Sequence, residues 1–281
     1  MVAPHDKLLA VLLESRQRQC FPTEIRSAAP EFVQHVLGLL FPHFASQLER
    51  NAAAIQRDVM AVEAHLVRLQ SLLEPLYPEM DSTIPQRFME QLPDIYTCLR
   101  QDAEAIHEAD PAARSVDEVI LTYPGFYAIA IFRVAHALYT LGMPLLPRLL
   151  TEFAHQRTGV DIHPGATIGR RFVIDHGTGV VIGETTVIGD GVKIYQGVTL
   201  GALVVQKNLS DKKRHPTLEN DVVVYANATI LGGDTVVGRG TVIAGNAWLT
   251  QSVPPQSIVT RRTEVRHRNN DADLGEIEFH I

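Results

Sequence analysis

Two histidines in the second half of the chain have the sequence setting expected of a proton-transfer site. His176 lies in the segment IDHGTG and His215 in the segment RHP, and each adjoins a charged residue and precedes residues that favour a turn. Histidine is the side chain most readily poised for proton transfer near neutral pH. His155 and His163 lie nearby without these features, and we interpret them as structural. His176 and His215 are therefore the first candidates for chemistry.

A histidine that acts as a general base needs a group that orients its ring. A carboxylate that accepts one ring N–H leaves the other nitrogen free to take a proton from an alcohol, which contributes a factor of about 10² to 10⁴ to the rate. Asp175 cannot be assumed to orient His176, because successive residues of a strand point to opposite faces. Asp161 precedes His176 by nearly one coil, if three six-residue units form a coil. We expect Asp161 to reach His176 from the neighbouring coil.

Other kinds of site have less support in the sequence. The four histidines lack the short, recurring spacing of metal ligands and no cysteine lies among them, so we expect no metal site. The chain has no GxSxG segment, and Gly177 and Gly179 lack the strand-turn-helix setting of a dinucleotide-binding loop. The residues favour an acid–base site.

The element that must position these residues is a repeat with a period of six. Such a period is neither the 3.6 residues of a helix nor the alternation of a strand, and it is a signature of a parallel β-helix. The step from Ile174 to Ile182 is longer than six, so the register breaks directly after His176, as expected beside a functional site. The repeated aliphatic residues are Ile162, Ile168, Ile174, Ile182, Ile188, Ile194 and Leu200, then Leu231, Val237, Ile243 and Leu249.

Residues 1–156 have helical patterns and predict an all-helical domain. The clearest is an apolar stripe from Ile55 to Leu73 at spacings of three and four. Two helical segments are expected within residues 85–106, on either side of Pro93. Asp110 precedes a proline and is therefore expected to cap or leave a helix.

The changes of pattern predict three parts. The helical domain of residues 1–156 is followed by a β-helix over residues 157–256 and by a flexible tail of residues 257–281, which is charged and poor in apolar residues until its end. A polar segment, residues 202–215, interrupts the repeat. Insertions leave a solenoid as loops and often carry binding residues, so this segment is expected to contribute to function.

Composition restricts the partners and the compartment. The net charge is −7 and the 25 basic residues are dispersed, which argues against nucleic acid or a membrane surface as the main partner. Cys20 and Cys98 have no CxxC spacing and fit free thiols in a reducing compartment. The N-terminus lacks a signal pattern, and Arg133 interrupts the most apolar helical stretch. These features predict a cytoplasmic protein.

Seven segments of the sequence match one known family. They are DIHPGATIGRRFVIDHGTGVVIGET from Asp161, VTLGA from Val198, RHP from Arg214, ILGG from Ile230, SVPP from Ser252, ADPAA from Ala109 and GFYAIAIFRVAHAL from Gly125. Together they resemble serine O-acetyltransferase, the hexapeptide-repeat acyltransferase of cysteine biosynthesis. The resemblance covers roughly residues 105–256.

The resemblance implies a fold and an activity. The fold is an α-helical N-terminal domain followed by a left-handed parallel β-helix, assembled as a trimer that is often paired into a hexamer, with active sites between subunits. The activity is transfer of the acetyl group of acetyl-CoA to the hydroxyl of L-serine, by direct attack in a ternary complex. Two alternatives remain open: a hexapeptide acyltransferase for another alcohol, such as homoserine, a sugar or a xenobiotic, and an inactive scaffold that binds O-acetylserine sulfhydrylase.

The resemblance also implies roles for individual residues. His176 is the general base and Asp161 its partner. The serine ammonium and carboxylate and the incipient oxyanion are bound by Asp110, Asp175, Arg214 and His215. Charge supports this, since a carboxylate suits an ammonium and a guanidinium suits a carboxylate.

Acetyl-CoA is expected in a groove between neighbouring solenoids, where small residues let its pantetheine arm approach the main chain. The usual AGVPARIVG loop after VPP is absent, and residues 257–268 read SIVTRRTEVRHR. The expected backbone contacts are Gly201, Ala202, Ala226 and Ala244.

Two regulatory partners are implied as well. In this family a C-terminal isoleucine inserts into O-acetylserine sulfhydrylase, and this chain ends at Ile281. A terminal carboxylate with one apolar side chain is a compact recognition element. L-cysteine is expected to bind the same active site as the serine substrate, as a feedback inhibitor.

Overall fold

The first part of the chain is helical, as predicted. The computed structural model describes residues 4–18, 21–45, 50–203 and 212–260. A short 3₁₀ turn, Pro42–Phe44, lies between the second and third helices. The α-helices in these residues are α1 (Pro4–Gln17), α2 (Ile25–Leu40), α3 (Ala52–Leu73), α4 (Ile84–Ala109), α5 (Val116–Thr122), α6 (Pro124–Thr140) and α7 (Leu146–Thr158).

Helix α3 forms for reasons that are visible in its sequence. The Asn51 side chain accepts a hydrogen bond from the Ala54 N–H at 2.9 Å, which satisfies one of the free donors of the first turn. The predicted stripe is buried from Val62 to Leu73, whereas Ile55 is exposed. The apolar stripe therefore faces neighbouring helices in its C-terminal part.

Helix α4 corrects one expectation. The pattern predicts two segments within residues 85–106, but a single helix runs through Pro93. Proline removes one backbone hydrogen bond, yet the apolar face of this helix is buried on both sides of it. Burying each large apolar side chain contributes about 1.5–3 kcal/mol, which outweighs the loss. The buried residues of that face include Ile84, Phe88, Leu92, Ile95 and Leu99.

The second part is a parallel β-helix of three faces. Face 1 contains β1-β4-β7-β10-β13, face 2 contains β2-β5-β8-β11, and face 3 contains β3-β6-β9-β12-β14. The strands are β1 (Asp161–Ile162), β2 (Thr167–Ile168), β3 (Val173–Asp175), β4 (Val181–Ile182), β5 (Val187–Ile188), β6 (Lys193–Tyr195), β7 (Thr199–Gly201), β8 (Thr217–Leu218), β9 (Val223–Val224), β10 (Thr229–Leu231), β11 (Val236–Val237), β12 (Val242–Ile243), β13 (Trp248–Leu249) and β14 (Ile258–Val259).

The length of a coil follows from the strand register. Val181 pairs with Thr199, so this coil contains three six-residue units. Asp161 pairs with Val181, so the first coil is longer and contains the extended step after Ile174. The repeated aliphatic residues point inward, and Ile162, Ile182 and Leu200 are almost wholly buried. The six-residue period thus predicts both the coil and its core.

A buried ion pair joins the helices to face 3. Arg133 on α6 binds Asp102 on α4 at 2.6 and 2.9 Å, and Arg133 also donates to the carbonyl of Gly169 at 2.7 Å. Asp102 in turn accepts a hydrogen bond from the Phe172 N–H at 2.9 Å, directly before β3. This network fixes β3 against α4 and α6.

The predicted boundaries of the three parts lie close to the ends of these helices and strands. Helix α7 ends at Thr158 and β1 begins at Asp161, close to the predicted change at residues 156–157. Strand β14 at Ile258–Val259 pairs with β12, so the solenoid continues slightly into the predicted tail. Ile281 lies outside the described residues, as do Cys20 and most of the polar segment before Arg214.

Within the described part of the chain, no single helix has the length and apolar character needed to cross a membrane. The pair α5 and α6 passes that test together, by length and composition alone, but the two helices are bent by 76° relative to one another.

Candidate active site

The turn after β3 places His176 in an unusual backbone conformation. His176 has φ of 59°, and Gly177 and Gly179 have φ of 90° and 80°. The left-handed region is uncommon for a residue with a side chain, and in this solenoid it recurs at other turn residues such as Asn227 and Asn246. A Cβ at Gly177 would lie 2.9 Å from Val160 Cγ2, so this position also requires glycine for space. The longer step in the repeat therefore produces a tight turn that leaves the His176 side chain 74% exposed.

His176 lines a cavity of about 380 Å³ together with Asp110 and Asp175. Asp110 is the C-cap of α4 and Asp175 is the last residue of β3. The cavity is closed on one side by the start of α6, because Gly125 packs directly on β3, where a Cβ would lie 2.2 Å from the Ile174 carbonyl oxygen. Three predicted site residues are thus brought together by helix-to-strand packing.

Asp110 is held by Tyr123, which sequence reasoning missed. The Tyr123 hydroxyl donates to Asp110 Oδ2 at 2.5 Å, and the Ala112 N–H donates to Oδ1 at 2.8 Å. These hydrogen bonds lower the pKa of Asp110, that from Tyr123 being the strongest, and the same contact raises the pKa of Tyr123 to about 12. Asp110 is therefore an ionised acceptor throughout the neutral range.

Asp175 is held by Lys193, a second residue that was missed. Lys193 Nζ lies 3.4 Å from Asp175 Oδ2 and donates to the Ala109 carbonyl oxygen at 3.0 Å. Asp175 Oδ1 lies 3.9 Å from His176 Nε2, which is too far for a hydrogen bond. The repeat contains a signal for this contact. Lys193 pairs with Val173 one coil earlier, and Val173 and Asp175 lie on the same face of β3 because side chains alternate along a strand.

Asp161 does not line the cavity of His176. The first coil runs from Asp161 to its partner Val181 and so includes His176, which places the two residues about three quarters of a coil apart. Asp161 Oδ1 lies 3.8 Å from Arg148 Nη2. Asp161 also gathers with Glu152 and His155, whose ligand atoms lie within 4.8 Å of one another. Arg148 pairs with Glu152 too and supplies the positive charge of this cluster.

Arg214 and His215 form a second cluster with Glu184. The Arg214 guanidinium pairs with the Glu184 carboxylate. His215 is buried, and its Nδ1 accepts a hydrogen bond from the Thr185 N–H at 3.1 Å. Burial, and then the charge of Arg214, lower the pKa of His215 to about 4. His215 is therefore neutral near pH 7, and its Nε2 carries the proton and can donate a hydrogen bond.

The two clusters lie on different corners of the β-helix. The His176 corner joins face 3 to face 1, after β3, and the His215 corner joins face 1 to face 2, before β8. Neither Arg214 nor His215 lines the cavity of His176. A single chain therefore does not bring all the predicted residues together.

The residues expected to contact CoA are also divided between these two corners of the β-helix. Gly201 ends β7 and Ala202 follows it, on the His215 corner. Ala226 and Ala244 follow β9 and β12, on the His176 corner. The Asn246 N–H donates to the Ala226 carbonyl at 2.9 Å, so these turns stack on one another. Each corner thus carries part of both predicted binding sites.

A helical N-terminal domain, a left-handed parallel β-helix and an exposed histidine beside two carboxylates define a hexapeptide-repeat acyltransferase. The family model described as serine acetyltransferase, N-terminal, matches residues 74–130. A serine acetyltransferase of Bacillus subtilis is 48% identical over 164 residues, which cover 58% of this chain and 73% of that protein. The chain belongs to the serine acetyltransferase family, and the predicted fold is confirmed.

Other relatives support the same family assignment. The plasmid-encoded serine acetyltransferase of Synechococcus elongatus is 50% identical over 199 residues, covering 69% of this chain and 62% of that protein. The crystal structure of Entamoeba histolytica serine acetyltransferase isoform 3 in complex with cysteine has a TM-score of 0.76 at 32% identity and covers 93% of each chain. That of the Neisseria gonorrhoeae enzyme in complex with serine has a TM-score of 0.60 at 28% identity, covering 85% of this chain and 93% of that one.

Proposed function

We propose that this protein transfers the acetyl group of acetyl-CoA to the hydroxyl of L-serine, giving O-acetyl-L-serine and CoA for cysteine biosynthesis. The observation that carries the proposal is the cavity in which two carboxylates, Asp110 and Asp175, lie beside the exposed His176. An ammonium group suits the carboxylates, and a free imidazole suits an adjacent hydroxyl. The serine-bound relative supports this substrate.

The side chains suggest how the reaction proceeds. His176 takes the proton of the serine hydroxyl as the oxygen attacks the thioester carbonyl carbon, forming the C–O bond. When the C–S bond breaks, the CoA thiolate takes that proton from His176. The Arg214 guanidinium suits the serine carboxylate, and the Nε2–H of His215 suits a developing oxyanion. The pairing of Asp161 with His176 stays a prediction.

We also propose that a complete site forms between two copies of the chain. The His176 corner carries the carboxylates and the base, and the His215 corner carries the cation and the neutral histidine. A second copy that places its His215 corner against the first copy's His176 corner would join these groups, along with the divided CoA residues. A closed ring of three such contacts is a trimer, which can pair into a hexamer.

The parts of the chain then have separate roles. We propose that residues 1–156 support assembly and supply Asp110, residues 157–256 hold the reacting groups, and the tail after residue 256 presents Ile281 to O-acetylserine sulfhydrylase. L-cysteine shares its ammonium and carboxylate with serine and is proposed to inhibit at the same site, as the cysteine-bound relatives suggest. The cysteine content supports a cytoplasmic location.

Thiol release from acetyl-CoA tests the transfer reaction. The wild-type chain is expected to release CoA in the presence of L-serine, and His176→Ala to reduce kcat about 10² to 10⁴-fold. Asp161→Ala should also reduce kcat, whereas His5→Ala, an exposed histidine on α1, should not. The proposal would be refuted if CoA were released with homoserine or another alcohol but not with L-serine, or if His176→Ala kept nearly full activity.

Deletion of Ile281 tests the proposed partner. This deletion should abolish co-purification of the sulfhydrylase and leave acetyl transfer unchanged.

A further inference from the structure

Lys193 lies directly behind the two aspartates of the cavity. Its Nζ contacts the Asp175 carboxylate at 3.4 Å and the Ala109 carbonyl oxygen at 3.0 Å, and it sits 4.6 Å from the centroid of the Tyr195 ring. Ala109 is the last residue of α4, and Asp110 is the next residue. One ammonium group therefore contacts the side chain of one aspartate and the backbone that carries the other.

We infer that Lys193 is a positioning residue that holds Asp110 and Asp175 at the spacing required by a single substrate ammonium. This inference rests on the function proposed above and adds a determinant of its specificity for an amino acid.

The position of Lys193 is itself fixed. It belongs to β6, where the register pairs it with Val173 and pairs Tyr195 with Asp175. Its side chain is 16% exposed, equal to that of Asp175. Burial alone lowers the pKa of Lys193, but its contacts with Tyr195 and Asp175 outweigh burial and raise that pKa above its usual range. Lys193 is thus a charged group on a rigid strand.

The charges explain why a cation is needed there. Asp110 and Asp175 line one cavity, and the C-terminal carbonyls of α4 add partial negative charge. Two carboxylates in one site repel each other. Lys193 leaves a net charge of about −1 among these three side chains, which complements one ammonium.

Lys193 leaves the substrate side of Asp175 open. It contacts Oδ2, whereas Oδ1 is the oxygen that lies toward His176. The carboxylate can therefore lie between two cations, one from the protein and one from the substrate. Removing Lys193 removes some repulsion of the substrate, but it also frees Asp175 to rotate and the end of α4 to shift. Because the substrate ammonium contacts the carboxylates directly, we expect the loss of position to dominate.

Two substitutions and one matched control test this inference in the full-length protein. Lys193→Met keeps most of the side-chain length and removes the charge, and Lys193→Arg keeps the charge. Glu108→Gln is the control, because Glu108 forms a 2.6 Å ion pair with Arg171 that also joins α4 to the β-helix but does not line the cavity. KM and kcat are measured by CoA release, and L-serine binding is measured by calorimetry.

Lys193→Met should raise the KM and the dissociation constant for L-serine about 10-fold, with kcat and the KM for acetyl-CoA within about twofold of wild type. Lys193→Arg should recover most of the loss, and Glu108→Gln should behave as wild type. Unchanged serine binding in Lys193→Met, or an equal effect of Glu108→Gln, would overturn the inference. A wild-type chain that binds serine without transferring acetyl would refute the proposed function alone, and calorimetry would still decide the role of Lys193.

Discussion

The hydroxyl of Tyr123 controls the protonation of one carboxylate in the cavity, and this leads to a prediction about pH. Its hydrogen bond lowers the pKa of Asp110, so this carboxylate stays ionised as the pH falls. In Tyr123→Phe the pKa of Asp110 should rise toward its usual value, and Asp110 should therefore lose its charge at a higher pH. As the pH falls, the KM of Tyr123→Phe for L-serine should begin to increase at a higher pH than the KM of wild type. Above neutrality the KM values of the two proteins should differ less.

The measurement is KM for L-serine as a function of pH, with Tyr96→Phe as the control. Tyr96 is an exposed tyrosine of α4 that does not line the cavity. If the profile of Tyr123→Phe coincides with that of wild type, Tyr123 does not set the charge of Asp110.

Single residues also show what sequence reasoning can reach. His176 is predictable from its own neighbourhood, because a glycine-rich turn and a longer step in the repeat are local features. Tyr123 and Lys193 are not predictable in this way. Tyr123 reaches Asp110 because Gly125 packs on Ile174, which is a contact between distant parts of the chain. His176 follows Asp161 by a smaller fraction of a coil than three six-residue units imply, because the extra residues after Ile174 lengthen that coil.

Among the elements, β3 depends on the buried Asp102–Arg133 pair, which makes a prediction about stability. The Asp102 side chain is fully buried and the Arg133 side chain is 9% exposed. Arg133→Met would leave the Asp102 carboxylate buried without its cation, and breaking such a pair from one side costs about 3–5 kcal/mol. Chemical denaturation should show a loss of this size in the free energy of unfolding.

A surface ion pair provides the comparison for that prediction. Arg87 and Asp81 lie 3.1 Å apart with both side chains about half exposed, and Arg87→Met should cost no more than about 1 kcal/mol. Similar losses in the two variants would show that the buried pair does not anchor the helices to β3.

The elements differ in how well local patterns predict them. The strands follow from the six-residue period, because each coil repeats the same inward positions. The α4 helix does not follow from its sequence, since Pro93 is a local signal to stop and the opposing signal is burial against other helices. The predicted end of the β-helix at residue 256 is too early, because Ile258 and Val259 join face 3 by pairing with β12.

For the whole molecule, the division of the site between two corners has a consequence for mixtures of variants. His176→Ala damages the His176 corner and leaves the His215 corner intact, whereas Arg214→Ala does the reverse. Each variant alone should be nearly inactive, because every interface would contain one damaged corner. In a mixed assembly, some interfaces join an intact His176 corner from one variant to an intact His215 corner from the other.

Co-expression of the two variants with different affinity tags tests this directly. With equal amounts and random assembly into closed rings, each corner of an interface is intact in half of the chains, so about a quarter of wild-type activity should return before purification. Tandem purification removes rings of a single variant, and in mixed trimers about a third of wild-type activity is expected, because one interface in three is intact. Tandem purification ensures that the assayed material contains both variants, and the control is a mixture of His176→Ala with Asp110→Ala, which damage the same corner and should stay inactive. No recovery in the first mixture would mean that each chain holds a complete site, and the distance between the two clusters would then have to be closed within one chain. Recovery in the control would mean that His176 and Asp110 of one site come from different chains, which would contradict their assignment to the same corner.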